Sequence, residues 1–319
     1  MSQNTAVKET KTRPVSRKDM TRAQWLWKEM KRNKVGYFMV APFFLLFFVF
    51  TVVPVFLSMF LSFTTFNLLE APVWIGLDNY IRLFLDDDIF ITAVKNTLIF
   101  AAVTGPVSYL MSLFVAWFIN ELSPRMRAFV TLIFYAPSIS GAMYSIFGIF
   151  FSSDRYGYVN AFLIEYGFIV EPIQWFQDAT YVMPLCILVA LWTSLGTAFL
   201  AFIAGLQGIR RDLYEAGAID GIKNRWQELW YITLPEMKNQ LMFGAVMAIT
   251  GSFGFGGIVT ALAGFPSVDY CAWTIMHHLE DYGGQRFEVG YSSAIATILF
   301  LMMIGTNMLV NRILSKVGQ

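Results

Sequence analysis

Few residue types in this 319-residue chain are placed for covalent or proton-transfer chemistry. Two histidines, His277 and His278, stand side by side in a loop, and neither is expected to pair with a ligand-like neighbour. A metal site or proton relay is therefore not expected. The two cysteines, Cys186 and Cys271, imply no disulfide framework, and Cys186 reads as a small apolar packing residue. No GxxxxGK[ST] phosphate loop occurs, so the chain does not hold ATP by that device. Its long apolar stretches also lack the Asp, Glu, His or Arg that an ion-coupled carrier places at mid-membrane, where charge is costly. What remains is non-covalent chemistry, and the stretch Leu213–Leu241 concentrates it.

That stretch reads LYEAGAIDGIKNRWQELWYITLPEMKNQL. Residues 211–219 have a helical composition rich in small side chains, Ala216, Gly217 and Ala218. Gly221, after Asp220, supplies a sharp turn, because glycine enters positive φ without penalty. Trp226, Leu229, Trp230 and Ile232 then recur at helical spacing until Pro235 ends or kinks the run. The expectation is a short helix, a tight turn and a second helix lying along a membrane surface.

The rest of the chain must position this loop. Hydrophobic residues make up 56% and charged residues 14%, with mean hydropathy +0.55. The charges gather in short segments and leave apolar runs long enough to cross a ~30 Å hydrocarbon core, which takes roughly 20 residues. Six spans are expected, at 36–64, 91–119, 127–152, 180–206, 240–265 and 288–314. Prolines 42, 54, 106, 137 and 184 fall within them, as membrane helices tolerate. The runs do not alternate with period two, which excludes a β-barrel. Residues 1–35 form a basic leader, partly helical around Thr21–Lys34, residues 36–314 the membrane domain with its loop at 207–238, and residues 315–319 a short tail. Placing both termini in the cytosol leaves only Arg82, Arg155, Arg286 and Lys95 outside among the basic residues, as the positive-inside rule requires. The outer loops are then acidic, carrying Asp86, Asp87, Asp88, Asp154, Glu165, Glu171, Asp178, Glu280 and Asp281, a face that could meet a soluble partner with basic patches.

The loop resembles the EAA loop of ABC-importer permeases. Glu215, Ala216, Asp220 and Gly221 match its first half, and Ile232, Thr233, Leu234 and Pro235 match its I-T-L-P half. Gly217, Ile222 and Asn239 depart from the pattern, which more often has Ala, a small residue and a second proline there. Three further elements are similar to those of sugar-type permeases, close to the maltose and glycerol-phosphate members: Gly76–Phe84 followed by Asn96–Thr97–Leu98, then Gly157–Tyr158–Val159–Asn160, then Gly290–Ala294.

The resemblance implies an all-α integral membrane protein with the type I permease fold of ABC importers: six transmembrane helices with both termini inside, in a bacterial cytoplasmic (inner) membrane. It implies no enzymatic role and no cofactor in this chain. ATP and magnesium would be bound by two partner ATPase subunits, reached through Glu215, Ala216, Gly217, Ala218, Asp220, Gly221 and Pro235. The other implied partners are a second homologous permease, an extracytoplasmic solute-binding protein, membrane lipid, and a sugar or oligosaccharide; no nucleic acid is implied. The substrate path is expected along spans four and five, at Trp192, Ser194, Thr197, Ser252, Phe253 and Gly254. The alternative cargo is a glycerol-phosphate-type solute. An ion-coupled carrier is the other class weighed.

Overall fold

The computed structural model describes residues 21–140 and 143–314. The expectations for residues 1–20 and 315–319 lie outside them. The chain divides into two compact units, Met1–Leu57 and Ser58–Gln319. In the first, the expected leader helix is α1 (Arg22–Arg32), where Arg32 donates to Glu29 and Lys31 sits 5.6 Å over the Trp27 ring. The expected first span is α2 (Lys34–Leu61), apolar all round and without a buried side chain, its residues up to Leu57 in this unit and Ser58–Leu61 in the second. That pattern marks a helix made for an apolar solvent. Residues Phe48–Val52 form a π turn, with Val53 N–H reaching back to the Phe48 carbonyl just before Pro54, which has no N–H to offer.

The second unit opens with a hairpin of β1 (Thr64–Thr65) and β2 (Val73–Trp74), antiparallel, the only strands among the described residues. Then come α3 (Asp78–Ile81) and α4 (Asp88–Asn120), whose 33 residues rise about 50 Å. Next are α5 (Pro124–Ile139), α6 (Met143–Phe150) and α7 (Tyr158–Glu165). Span four is α8 (Ala179–Thr193) plus α9 (Thr197–Gly208). The loop holds α10 (Arg211–Ile219), α11 (Arg225–Glu228), a π turn Leu229–Thr233 and α12 (Leu234–Glu236). Span five is α13 (Lys238–Phe253) plus α14 (Gly256–Ala263), followed by α15 (Ile275–Glu280) and α16 (Val289–Leu314).

Five helices are long and apolar enough to cross a membrane, or six if α5 and α6 count as one bent span. The expected continuous helix over 127–152 is therefore corrected: α5 and α6 meet at 84°. Pro137 lies in the last turn of α5, and Ser140 is extended at φ −98°, ψ 106°. α4 packs on α9 and α13, and α13 on α16. Close approach of α9 and α13 uses glycines: a Cβ on Gly244 would lie 2.3 Å from the Phe202 ring, and one on Gly205 2.9 Å from Gln240.

The three elements that resemble sugar permeases prove to be clamps on one face of this unit. Asn79 donates to the carbonyls of Ser62 and Thr64, both at 2.9 Å, holding the hairpin. Gly290 presses on the hairpin's other side, where a Cβ would sit 2.1 Å from the Thr64 carbonyl. Asn96 donates to the carbonyls of Tyr270 and Trp273, and Thr97 Oγ1 accepts the Ile275 N–H at 2.9 Å. Asn160, fully buried, spends its amide on Ser152, Asp154 and Ile173 while accepting from Ile173 N–H and Trp175 Nε1. Gly157 is needed because a Cβ would meet the Ser152 carbonyl at 2.4 Å.

The histidines and the acidic face also need correction. His278 does have a partner: its Nε2 lies 2.9 Å from Asp87 Oδ2, with His278 only 2% exposed. The Trp273 indole N–H, which can only donate, points at His278 Nδ1 at 3.3 Å. Nε2 therefore carries a proton and donates to Asp87. Asp87 also accepts from the Phe90 N–H as N-cap of α4, and from the Tyr291 hydroxyl at 2.8 Å. His277 Nδ1 accepts the Thr274 N–H in a capping box at the start of α15, and burial pushes this imidazole down to about 4. Asp178 caps α8 and Asp154 folds the loop ahead of α7, so these carboxylates serve the fold.

Burial alone would push the Asp87 carboxyl up. The bonds from His278, the Phe90 N–H and Tyr291 outweigh it and hold the group down at about 2. A depressed carboxyl stabilises the fold above its ordinary titration range and loses that contribution as pH falls, here from about pH 4 toward 2. The contribution is about 2 kcal/mol. Thermal unfolding of the detergent-solubilised protein should show wild type losing its advantage over Asp87→Asn across that interval, with a constant gap from pH 5 to 8.

Candidate functional site

Two sites are built on the unit Ser58–Gln319. The first is the loop. α10 ends in a Schellman motif: Ile222 N–H bonds the Gly217 carbonyl at 2.9 Å, and Gly221 N–H the Ala218 carbonyl at 3.4 Å. Gly221 takes φ +96°, as its place after Asp220 predicts. The apolar contact of that motif falls on Gly217, buried beneath Ile222 and Ile232. A Cβ there would lie 2.6 Å from Ile232 Cδ1 and 3.1 Å from Ile222 Cδ1. Two of the three departures from the family pattern, at 217 and 222, thus compensate each other: a larger Ile222 is seated because residue 217 has no side chain. Tyr214, on the same inner face, shares a hydrogen bond of 3.0 Å with Thr233.

The I-T-L-P half divides its work in the same way. Ile232 covers Gly217, Thr233 holds Tyr214 and the Glu228 carbonyl, Leu234 joins the apolar core, and Pro235 sits in the first turn of α12. Trp226 packs on Trp117 with ring centroids 5.1 Å apart, and Arg225 bridges to Glu121 at 2.9 Å, fixing the loop to the end of α4. Of the seven loop candidates, Glu215, Ala216, Ala218 and Asp220 point outward, Gly217 points inward, Gly221 makes the turn, and Pro235 stands apart on α12. The outer face also exposes Ile219, 88% accessible, which the motif alone did not single out.

The second site is a cavity of about 240 Å3. Three helix breaks meet there: the end of α5 at Ser138, the break between α8 and α9 over Thr193–Gly196, and the end of α13 near Gly251 with Phe255 beyond it. Breaks leave backbone groups without helical partners. At membrane depth such backbone is tolerated only where protein buries it or it lines a cavity. Ser108, Ser112, Ser138, Thr193, Ser194 and Thr197 line the remainder together with Tyr109, Ala198, Met247 and Ala248, and the hydroxyls of Ser108, Ser138, Thr193 and Ser194 donate back to carbonyls of their own helices. Ser194 and Thr197, expected on the path, are brought together here.

The other path candidates fall elsewhere. Ser252 and Phe253 line a separate, apolar cavity of about 350 Å3, where Ser252 Oγ donates back to the Ile249 carbonyl. Trp192 is exposed and packs edge-on against Phe147 at 6.1 Å. Gly254 ends α13 and lines neither cavity. Sequence reasoning missed Ser108, Ser112 and Ser138. The first two were legible as a hydroxyl stripe one helical turn apart in an apolar span. No cluster of His, Cys, Asp or Glu able to hold a metal occurs among the described residues.

These features define a multi-pass helical membrane subunit with a helix–turn–helix loop on one face and a cavity where its helices break. Comparison with known proteins specifies the class. No protein-family model matches the sequence. The "Probable ABC transporter permease protein YesP" of Bacillus subtilis (strain 168) is 32% identical over 279 residues, 86% of this chain and 88% of its own length. The lactose transport system permease protein LacF of Rhizobium radiobacter is 34% identical over 219 residues, 68% of this chain and 72% of its own. A solved bacterial ABC transporter involved in importing the acidic polysaccharide alginate contains a chain matched with TM-score 0.75 and 25% identity, covering 92% of this chain and 99% of that one. The chain belongs to the permease family of ABC transporters.

Packing at Gly217 can be tested. Gly217→Val should displace Ile222 and Ile232 and destabilise the loop by roughly 1–3 kcal/mol, the cost of overpacking. Hydrogen exchange over residues 211–236 should rise in that variant and fall back when Ile222→Ala is added.

Proposed function

We propose that this chain is one permease subunit of an ATP-driven, binding-protein-dependent importer of sugars or oligosaccharides, forming half of the translocation path. The observation that carries the reading is the convergence of three broken helices on one cavity lined by six Ser and Thr residues among apolar side chains. Broken helices at mid-membrane are how transporters expose backbone donors and acceptors to a polar solute. A sugar presents hydroxyls that pair with such groups and with Ser and Thr side chains, and C–H faces that pack on rings such as Phe255. No basic side chain lines the cavity, which favours a polyhydroxylated solute over one bearing phosphate. The lactose permease among its relatives supports the same substrate class.

In this reading the chain crosses the bacterial cytoplasmic membrane six times, α5 and α6 counting as one span, with residues 1–35 as a basic cytosolic segment and both termini inside. Arg125, Arg127, Arg210, Arg211, Lys223, Arg225 and Lys238 lie on or beside the loop face, a distribution that supports a cytosolic position. Two ATPase subunits there bind ATP and magnesium, and a second permease completes the path. The solute-binding protein delivers cargo on the hairpin face. The outer surface of α10, with Glu215 between small side chains and Ile219 at its end, is shaped to sink into a cleft on the ATPase. Its inner surface is tied to the body through Gly217 and Tyr214, so a push on α10 reaches α12 and span five. ATP closure shifts the pair between inward- and outward-facing states by binding one state better than the other.

Two measurements check this. Gly251 lines the cavity, and a Cβ there has open space within 4 Å, so Gly251→Leu should fold and assemble while filling the path. Uptake of labelled oligosaccharide should fall at least about tenfold, equivalent to ~1.4 kcal/mol; unchanged uptake refutes the path. Glu215→Lys, placed on the exposed face of α10, should reduce binding-protein-stimulated ATPase activity of the assembled complex by a similar factor, because a reversed charge opposes docking. Full stimulation would remove Glu215 from the coupling contact.

A further inference from the structure

On the loop face lies a polar cavity of about 540 Å3, between the end of α4, the start of α5 and the loop. It adjoins the inner side of the loop, sharing Tyr214 and Arg225 with it, and is separate from the cavity at the helix breaks. Arg127, Arg211 and Arg225 line it together with Glu121 and Glu228. Arg225 answers both carboxylates, at 2.9 Å and 2.6 Å. The other two arginines are left over. Arg211 forms no ion pair among the described residues. Arg127 gives Nη2 to the carbonyls of Asn120 and Leu122, but its Nε is buried with no acceptor. The 16-residue α5 also begins here, and the Ser123 side chain makes no capping bond. Pro124 has no N–H and the Arg127 N–H bonds the Ser123 carbonyl, so the N–H groups of Arg125 and Met126 are the ones left for an anion at this point.

The cavity is not closed on its membrane side. Pro124, Arg127 and Gln207 also line a second, mainly apolar groove of about 430 Å3 that runs along α5 and α9, past Leu132, Tyr135 and Ile203. Arg127, Thr131 and Tyr135 follow one another at successive turns on one face of α5, about 6 Å apart per step. They present a cation, a hydroxyl and a ring in that order. The Thr131 hydroxyl is also buried without a partner. A phospholipid presents the complementary order: phosphate, ester carbonyls, acyl chain.

We propose that this joined pocket binds an anionic phospholipid, its phosphate between Arg127, Arg211 and the start of α5, its ester at Thr131, and an acyl chain in the groove. Basic pockets between membrane helices on the cytosolic side are suited to such headgroups. The apolar groove, continuous with the arginine-lined cavity, favours a lipid over a free anion. Arg211 stands on α10 and Arg225 at the start of α11, so the bound lipid would brace the loop against the end of α4.

The test uses the whole importer, with partner permease and ATPases, reconstituted in nanodiscs of phosphatidylcholine doped with phosphatidylglycerol, and native mass spectrometry after release. Each arginine near the surface contributes about 1 kcal/mol, so the wild type should retain phosphatidylglycerol over phosphatidylcholine about thirtyfold. Arg127→Gln with Arg211→Gln should abolish that preference. Arg211→Gln alone, at an exposed side chain and used if the double variant does not assemble, should reduce it about fivefold. Ala128→Trp, which fills the groove without touching a charge, should also release the lipid, and inorganic phosphate should not displace it. Equal retention by wild type and the arginine variants overturns the proposal. So does displacement by inorganic phosphate with no effect of Ala128→Trp, which would mark a free-anion site. Blocked sugar uptake in Ala128→Trp with lipid retention unchanged would instead make the groove part of the exit path and equally refute a lipid site.

Discussion

A hydrocarbon layer has no water to offer a backbone N–H or C=O, and a helix that stops inside it must hide or use the groups it frees. In this chain α5 ends, α8 gives way to α9, and α13 gives way to α14 within apolar stretches. All three interruptions face one cavity. The arrangement elsewhere follows from that demand. Long unbroken helices such as α4 and α16 carry the packing, and glycines at 205 and 244 let α9 and α13 close beneath the break. The side chains added to the cavity are Ser and Thr among apolar ones such as Met247 and Phe255, and none carries a charge to desolvate.

The two faces of the unit are held by different means. On the hairpin face, one carboxylate, Asp87, gathers a helix N-terminus, an imidazole and a phenol, the last two from segments about 190 and 204 residues away in sequence. Buried charge is tolerable when every lone pair is answered, and here three donors answer it. Asn79, Asn96 and Asn160 hold the nearby loops by the same logic, each amide satisfying carbonyls that would otherwise be buried and unpaired. These residues carry the likeness to sugar permeases, yet they maintain the scaffold and none lines the cavity at the helix breaks.

On the loop face the fastening is apolar and exchangeable. Gly217 and Ile222 fill one space between them, and Trp226 lies on Trp117. Contacts of that kind transmit a rigid-body push while allowing the loop to shift as a piece. That property suits a helix whose opposite face, with Glu215 and Ile219, is open to a partner.

Much of this was readable from the sequence. Long uncharged runs located the spans to within a few residues, because length and polarity alone decide whether a helix can lie in lipid. The loop's helix–turn–helix form was equally local: Gly221 after Asp220 and Pro235 after the amphipathic run dictate backbone angles wherever they occur. The tertiary structure decided what long-range pairing controls. His278 found Asp87, Asp87 proved to be an internal cap and not part of an acidic docking face, and Gly217 proved to be a seat for Ile222. It also divided the candidate path, keeping Ser194 and Thr197 in the cavity, turning Ser252 and Phe253 toward an apolar space and leaving Trp192 outside. The direction a side chain faces at a helix break depends on where the helix resumes, and local sequence does not encode that.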